Sequence, residues 1–124
     1  MQFKDNKAIY LQIADLICEE ILQDRLLEDE RIPSVREYAA MVEVNANTCM
    51  RAYDWLQGQS IIYTKRGLGY FVCVGAKEAI LQMKREEFIT ETLPEMAQKM
   101  ASLNITMEEL TNEIIRHQIE GRKA

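Results

Sequence analysis

Apolar residues recur at helical spacing over three stretches of the N-terminal half. Tyr10, Ile13, Ala14, Ile17 and Ile21 follow a 3.6-residue period and predict a first helix over residues 7–24 with one buried face. Pro33 and then Ser34-Val35-Arg36-Glu37 form a capping-box sequence. The serine caps the helix and the glutamate reaches back to the cap N–H, which predicts a second helix from near Val35 to near Val42. Cys49, Ala52, Tyr53 and Leu56 give a third helix its apolar face, and Asn45 suits its N-cap. After Ser60 the period changes. Ile61–Thr64 and Tyr70–Val74 are rich in β-branched and aromatic residues and predict two strands. Lys65-Arg66-Gly67-Leu68-Gly69 between them reads as a hairpin tip, with glycines for positive φ.

Beyond Gly75 the pattern is helical again. Residues 76–93 carry Ile80, Leu81, Met83, Phe88, Ile89 and Leu93 among charges, and Pro94 predicts a restart carrying Met96, Ala97, Met100 and Leu103. Asn104 is expected to end that helix. Thr106-Met107-Glu108-Glu109 reads as a second capping box, opening a last helix with Leu110, Ile114, Ile115 and Ile119. A segment of about fifty residues cannot bury so many apolar positions alone. The expected fold class is therefore mainly α with a small β-hairpin. A winged helix-turn-helix domain over 1–75 is followed by a helical dimerisation segment over 76–124 that packs in part on a second copy. The methionine-rich stripe in that segment reads as core rather than a ligand pocket.

Two short helices joined at Glu43-Val44 make a helix-turn-helix. Asn45, Asn47 and Thr48 crowd the tip of the second of these with hydrogen-bonding groups. A helix cap alone accounts for such residues; so does insertion of the tip into a DNA major groove. Arg36 sits in a first turn, where a cation opposes the helix dipole. A phosphate or base partner explains it better than helix stability does, and a salt bridge to Glu37 or to an acid of the first helix is the alternative. Lys65 and Arg66 beside Gly67 suit a phosphate-contacting wing, although a charged solvated turn has the same composition.

Ile32-Pro33-Ser34-Val35-Arg36-Glu37-Tyr38-Ala39, Val44-Asn45-Ala46-Asn47-Thr48 running into Arg51-Ala52-Tyr53, and Gly67-Leu68-Gly69-Tyr70-Phe71-Val72 together resemble the GntR family of bacterial transcription regulators. The resemblance spans roughly residues 3–75. The Val-Asn-x-Asn-Thr form and the short tail are similar to the YtrA-type branch. The resemblance implies DNA contact by Ser34, Arg36, Asn45, Asn47, Thr48, Arg51, Lys65, Arg66 and Gly67, with Arg51 a phosphate candidate. Four departures stand out. The family often has Pro-Gly where Glu28-Asp29 stand, arginine or proline at Ala46, arginine at Met50 and glycine at Ser60. Alanine and methionine cannot make bidentate contacts to guanine, so readout is expected to lean on Asn45, Asn47 and Thr48 and to favour an A·T-containing target. The tail is too short for the larger ligand-sensing domains of the family.

Charge modifies this picture. The net charge is −5. Residues 15–30 hold seven acids against Arg25, which reads as a solvated helix face. Residues 31–75 hold five cations against three acids, a small basic excess that predicts modest non-specific DNA binding. Cys18, Cys49 and Cys73 are odd in number and set among apolar residues, which suits reduced core thiols in a cytoplasmic protein. His117 stands without clustered ligands, so neither a metal nor a cofactor is expected, and no nucleophile–base pair or nucleotide loop suggests an enzyme. No apolar run approaches the ~18 residues of a membrane span, and Met1-Gln2-Phe3-Lys4-Asp5 lacks a signal-peptide core. The expected function is operator binding by a homodimer on an inverted repeat, most simply repression. The alternative is a winged-helix protein–protein module without specific DNA binding, which Ala46, Met50 and the weak basic excess favour slightly. A small-molecule effector is left open.

Overall fold

The computed structural model describes residues 7–123, with side chains to Gly121. The chain divides into two compact units after Met83. The first contains α1 (Ile9–Leu22), α2 (Val35–Val42), α3 (Ala46–Gly58), β1 (Ile62–Lys65), β2 (Gly69–Val72) and the start of α4 (Ala76–Glu87). Both α1 and α2 pack on α3. The apolar faces meet in one core, where Ile13, Ile17, Tyr53, Leu56, Ile62 and Val72 are buried. Ala76 and Ile80 belong to the same core, so the first turns of α4 close the unit that precedes them.

The α1 helix is shorter than the predicted 7–24. Ala8 is its N-cap, and Asp24 takes a left-handed φ of 60° just beyond its end. For α2 the prediction and the structure agree. The Glu37 N–H donates to Ser34 Oγ at 3.1 Å and the Ser34 N–H donates to Glu37 Oε1 at 3.2 Å, so both bonds of the capping box form. The bond from the Ser34 backbone holds the Glu37 carboxyl below its ordinary pKa. A depressed folded pKa contributes stability above the unfolded pKa and loses it as pH falls through the folded one. Ser34→Ala should lower stability by about 1 kcal/mol, read as a lower urea midpoint. An unchanged midpoint would remove the cap from the account.

The hairpin pairs Ile62 with Val72 and Lys65 with Gly69. Residues 29–32 run beside β2, with the Asp29 N–H donating to Val72 O at 2.8 Å and the Ile32 N–H donating to Tyr70 O at 2.9 Å. The ladder on that edge of β2 is thus covered. Ser60 and Asp29, two positions where the family favours glycine, have φ of 60° and 62°. The backbone geometry that glycine serves elsewhere persists with a side chain present, and Asp is among the residues that tolerate it best.

The second unit is helical. As predicted, an α-helix starts at Pro94 to within one residue, α5 (Leu93–Ser102), but the chain reaches it from α4 through a π-turn (Phe88–Thr92) and not through a break. Proline has no N–H and its ring crowds the carbonyl four residues back, here that of Thr90. The wider π-turn accommodates that crowding, and Pro94 falls in the first turn of α5, where a missing donor is harmless. Asn104 ends α5 with a left-handed φ of 56°. The last helix, α6, is Met107–Lys123. Its capping box is half formed: the Glu109 N–H donates to Thr106 Oγ1 at 3.1 Å, while the Thr106 hydroxyl donates to the Glu109 carboxylate. No described side chain from Lys84 to Gly121 is buried.

Candidate nucleic-acid interface

The first turns of α2 and α3 converge on one shallow concavity of about 420 Å³, lined by Ser34, Val35, Arg36, Ala46, Asn47, Met50 and Tyr70. Local sequence sets both tips. The Ser34–Glu37 box starts α2, and Asn45 starts α3 by accepting from the Asn47 N–H at 2.7 Å through Oδ1. A left-handed Glu43, φ 57°, makes the turn between them, so the two helices can meet at this angle within two residues. Two helix N-termini facing one space give it positive partial charge, and exposed Arg36 adds a full one.

The expected residues separate into three groups. Ser34, Arg36 and Asn47 line the concavity together. Among the described residues Arg36 makes no ion pair, so the predicted alternative of a bridge to Glu37 or α1 is not formed. Asn45, the N-cap of α3, and Thr48 and Arg51 on the helix stand outside the lining. Asn45 uses its carbonyl oxygen as a cap and keeps its amide N–H groups, and Thr48 is half-buried. The Arg51 guanidinium lies 4.1 Å from the Tyr10 ring centroid, a cation–π contact that ties α3 to α1. Lys65, Arg66 and Gly67 form the third group, all exposed at the hairpin tip, with Gly67 at φ 79°. Lys65 Nζ sits 4.8 Å from the Phe71 ring centroid, which braces the stem of the wing cation.

Three residues outside the expected set shape the site. Tyr70 and Met50 line the concavity, and the Tyr70 hydroxyl lies 3.8 Å from Met50 Sδ. Arg31 packs along Gly69, whose added Cβ would meet Arg31 Nε at 3.1 Å, so a third cation lies at the base of the wing. Period-two reading places Tyr70 on one face of β2 but cannot say what that face meets.

Buried tyrosines hold the arrangement. The Tyr53 hydroxyl donates to Pro33 O at 2.7 Å, fixing α3 against the turn that enters α2. The Tyr53 ring meets the Tyr70 ring edge-on at 4.9 Å. Burial pushes the Tyr53 hydroxyl far up and that of Tyr38 up to about 12. Burial likewise pushes the Cys49 thiol up to about 11, which keeps it neutral and poorly nucleophilic. Among the described residues no group of three His, Cys, Asp or Glu side chains could hold a metal, and no helix is long and apolar enough to cross a membrane.

This geometry has known counterparts. Residues 9–72 match the family model of the bacterial regulatory proteins, gntR family. The chain is 37% identical over 109 residues to the uncharacterised HTH-type transcriptional regulator YhcF of Bacillus subtilis (strain 168), covering 88% of each protein. It is 33% identical over 81 residues to the HTH-type transcriptional repressor YtrA of the same organism, covering 65% of this chain and 62% of that one. A crystal structure of a Bacteroides thetaiotaomicron protein assigned to the GntR regulators superposes with a TM-score of 0.75 at 44% identity, over 94% of this chain and 100% of that one. With two helix tips beside a basic wing and a family match over more than half its length, the chain belongs to the GntR family of DNA-binding transcription regulators.

Proposed function

We propose that the protein is a repressor that binds an inverted-repeat operator as a homodimer. The observation that carries this reading is the single concavity shared by the tips of α2 and α3, beside an exposed basic hairpin. The α3 tip enters the major groove, where Asn47 pairs with adenine and Asn45 and Thr48 contact neighbouring groups. Ser34 and Arg36 hold the phosphate strand at the tip of α2, and Arg51 adds a further phosphate contact. Lys65 and Arg66, with the Gly67 backbone, contact phosphates from the wing. Repression by occlusion of promoter DNA is the simplest consequence, and the relative YtrA is itself described as a repressor. Residues 76–124 supply the dimer contact, because the second unit leaves Phe88, Ile89, Leu103, Met107 and Ile119 exposed.

Selection of bound duplexes from a random pool tests the reading. An enriched inverted repeat is expected; binding without sequence preference would refute it. On the enriched duplex, Asn47→Ala should cost about 1–3 kcal/mol of specific binding. Lys65→Ala and Arg66→Ala should weaken all sequences alike, and each should reduce the salt slope by about one unit. An Asn47 variant with undiminished specific affinity at matched salt would remove that residue from the reading set.

A further inference from the structure

Met50 stands where the family resemblance leads one to expect arginine. It shares a face of α3 with Ala46, one turn before it, and with Asn47. The side chain is 40% exposed and lines the concavity instead of turning into the core. It is also restrained. The Tyr70 hydroxyl makes a long, weak contact to its sulfur at 3.8 Å, and the Tyr70 ring is held by Tyr53 in turn. An unbranched side chain that would otherwise sample many rotamers is thereby kept at the mouth of the site.

A thioether offers a base edge no donor and only a feeble acceptor. A guanine oxygen pressed against it would lose water and gain nothing in return, and a cytosine amino group would gain only a feeble bond. The base feature that gains from such a surface in the major groove is the thymine C5-methyl. We propose that Met50, backed by Ala46, is a specificity-determining residue that reads a thymine methyl in the DNA site. This rests on the DNA-binding reading above. It adds an apolar letter beside the adenine read by Asn47, and it makes the two apolar departures part of recognition.

The test uses the full chain and the duplex enriched from the random pool. Each thymine is replaced in turn by deoxyuridine, which removes one methyl and leaves base pairing intact. Wild-type protein should bind about fourfold more weakly when one half-site loses that methyl, the weight of a single buried methyl group, and about fifteenfold when both half-sites lose it. Met50→Ala, checked for an unchanged melting temperature, should bind the thymine and deoxyuridine duplexes equally at that position. Indifference of the wild type to every replacement would overturn the proposal while leaving DNA binding intact. So would a Met50→Ala protein that keeps the discrimination. A pool that yields no enriched sequence would overturn the DNA reading and this inference with it.

Discussion

Ile80→Ala should destabilise the first unit by about 2–5 kcal/mol, the range for truncating a large aliphatic side chain in a packed core. Ile80 has 0% exposure and ranks among the largest fully buried side chains. It lies on α4, beyond Gly75, where the domain was expected to close. Its cavity would open into the same buried core that holds Ile13, Leu56 and Val72. Leu68→Ala is the matched control. Leu68 is 62% exposed at the hairpin tip, so its loss should change stability by less than about 0.5 kcal/mol. Urea denaturation of the two variants reads the difference. Equal midpoints would mean that the start of α4 does not belong to this core.

Ile80 also marks where sequence reading reaches its limit. Local chemistry was legible. The Ser34–Glu37 box set the start of α2, and Asn45 set the start of α3, because a cap is satisfied within three residues of itself. Left-handed backbone was legible at the hairpin glycines, Gly67 at φ 79° and Gly69 at φ 115°, but not at Asp29 and Ser60, where a side chain stands at φ near 60°. Pro94 was legible as a helix start, but not what precedes it, because the break rule is local. It does not anticipate a π-turn that lets one helix continue through the proline. Partnerships between distant residues were not legible at all. Periodicity shows that Ile80 has an apolar face, but not which core receives it. Nor does it show that Tyr70 meets Met50, that Tyr10 stacks under Arg51, or that Arg31 lies along Gly69. Each of these joins separate elements, and only the packed core sets their distance.

Removing the second unit should have a larger effect on function than any single substitution. Phe88, Ile89, Leu103, Met107 and Ile119 are 49–69% exposed within the chain. At roughly 1.5–3 kcal/mol for each large apolar side chain taken out of water, covering several of them favours a second copy strongly. The full chain should therefore sediment as a dimer at micromolar concentration. A chain ending at Met83 keeps Ala76 and Ile80 in the core and should remain folded, but as a monomer. A chain ending at Gly75 loses both and should unfold or precipitate. The two shortened chains thus separate the core role of early α4 from the assembly role of the second unit. In the dimer, binding of one half-site raises the effective concentration of the second recognition helix at the other. The Met83 chain should accordingly bind the inverted repeat about 10²–10⁴-fold more weakly, although each half-site contact is unchanged. Its affinity for a single half-site should match that of the full chain. A full-length protein that sediments as a monomer, and that binds the repeat no better than the Met83 chain does, would remove assembly from the tail and leave the winged unit to act alone.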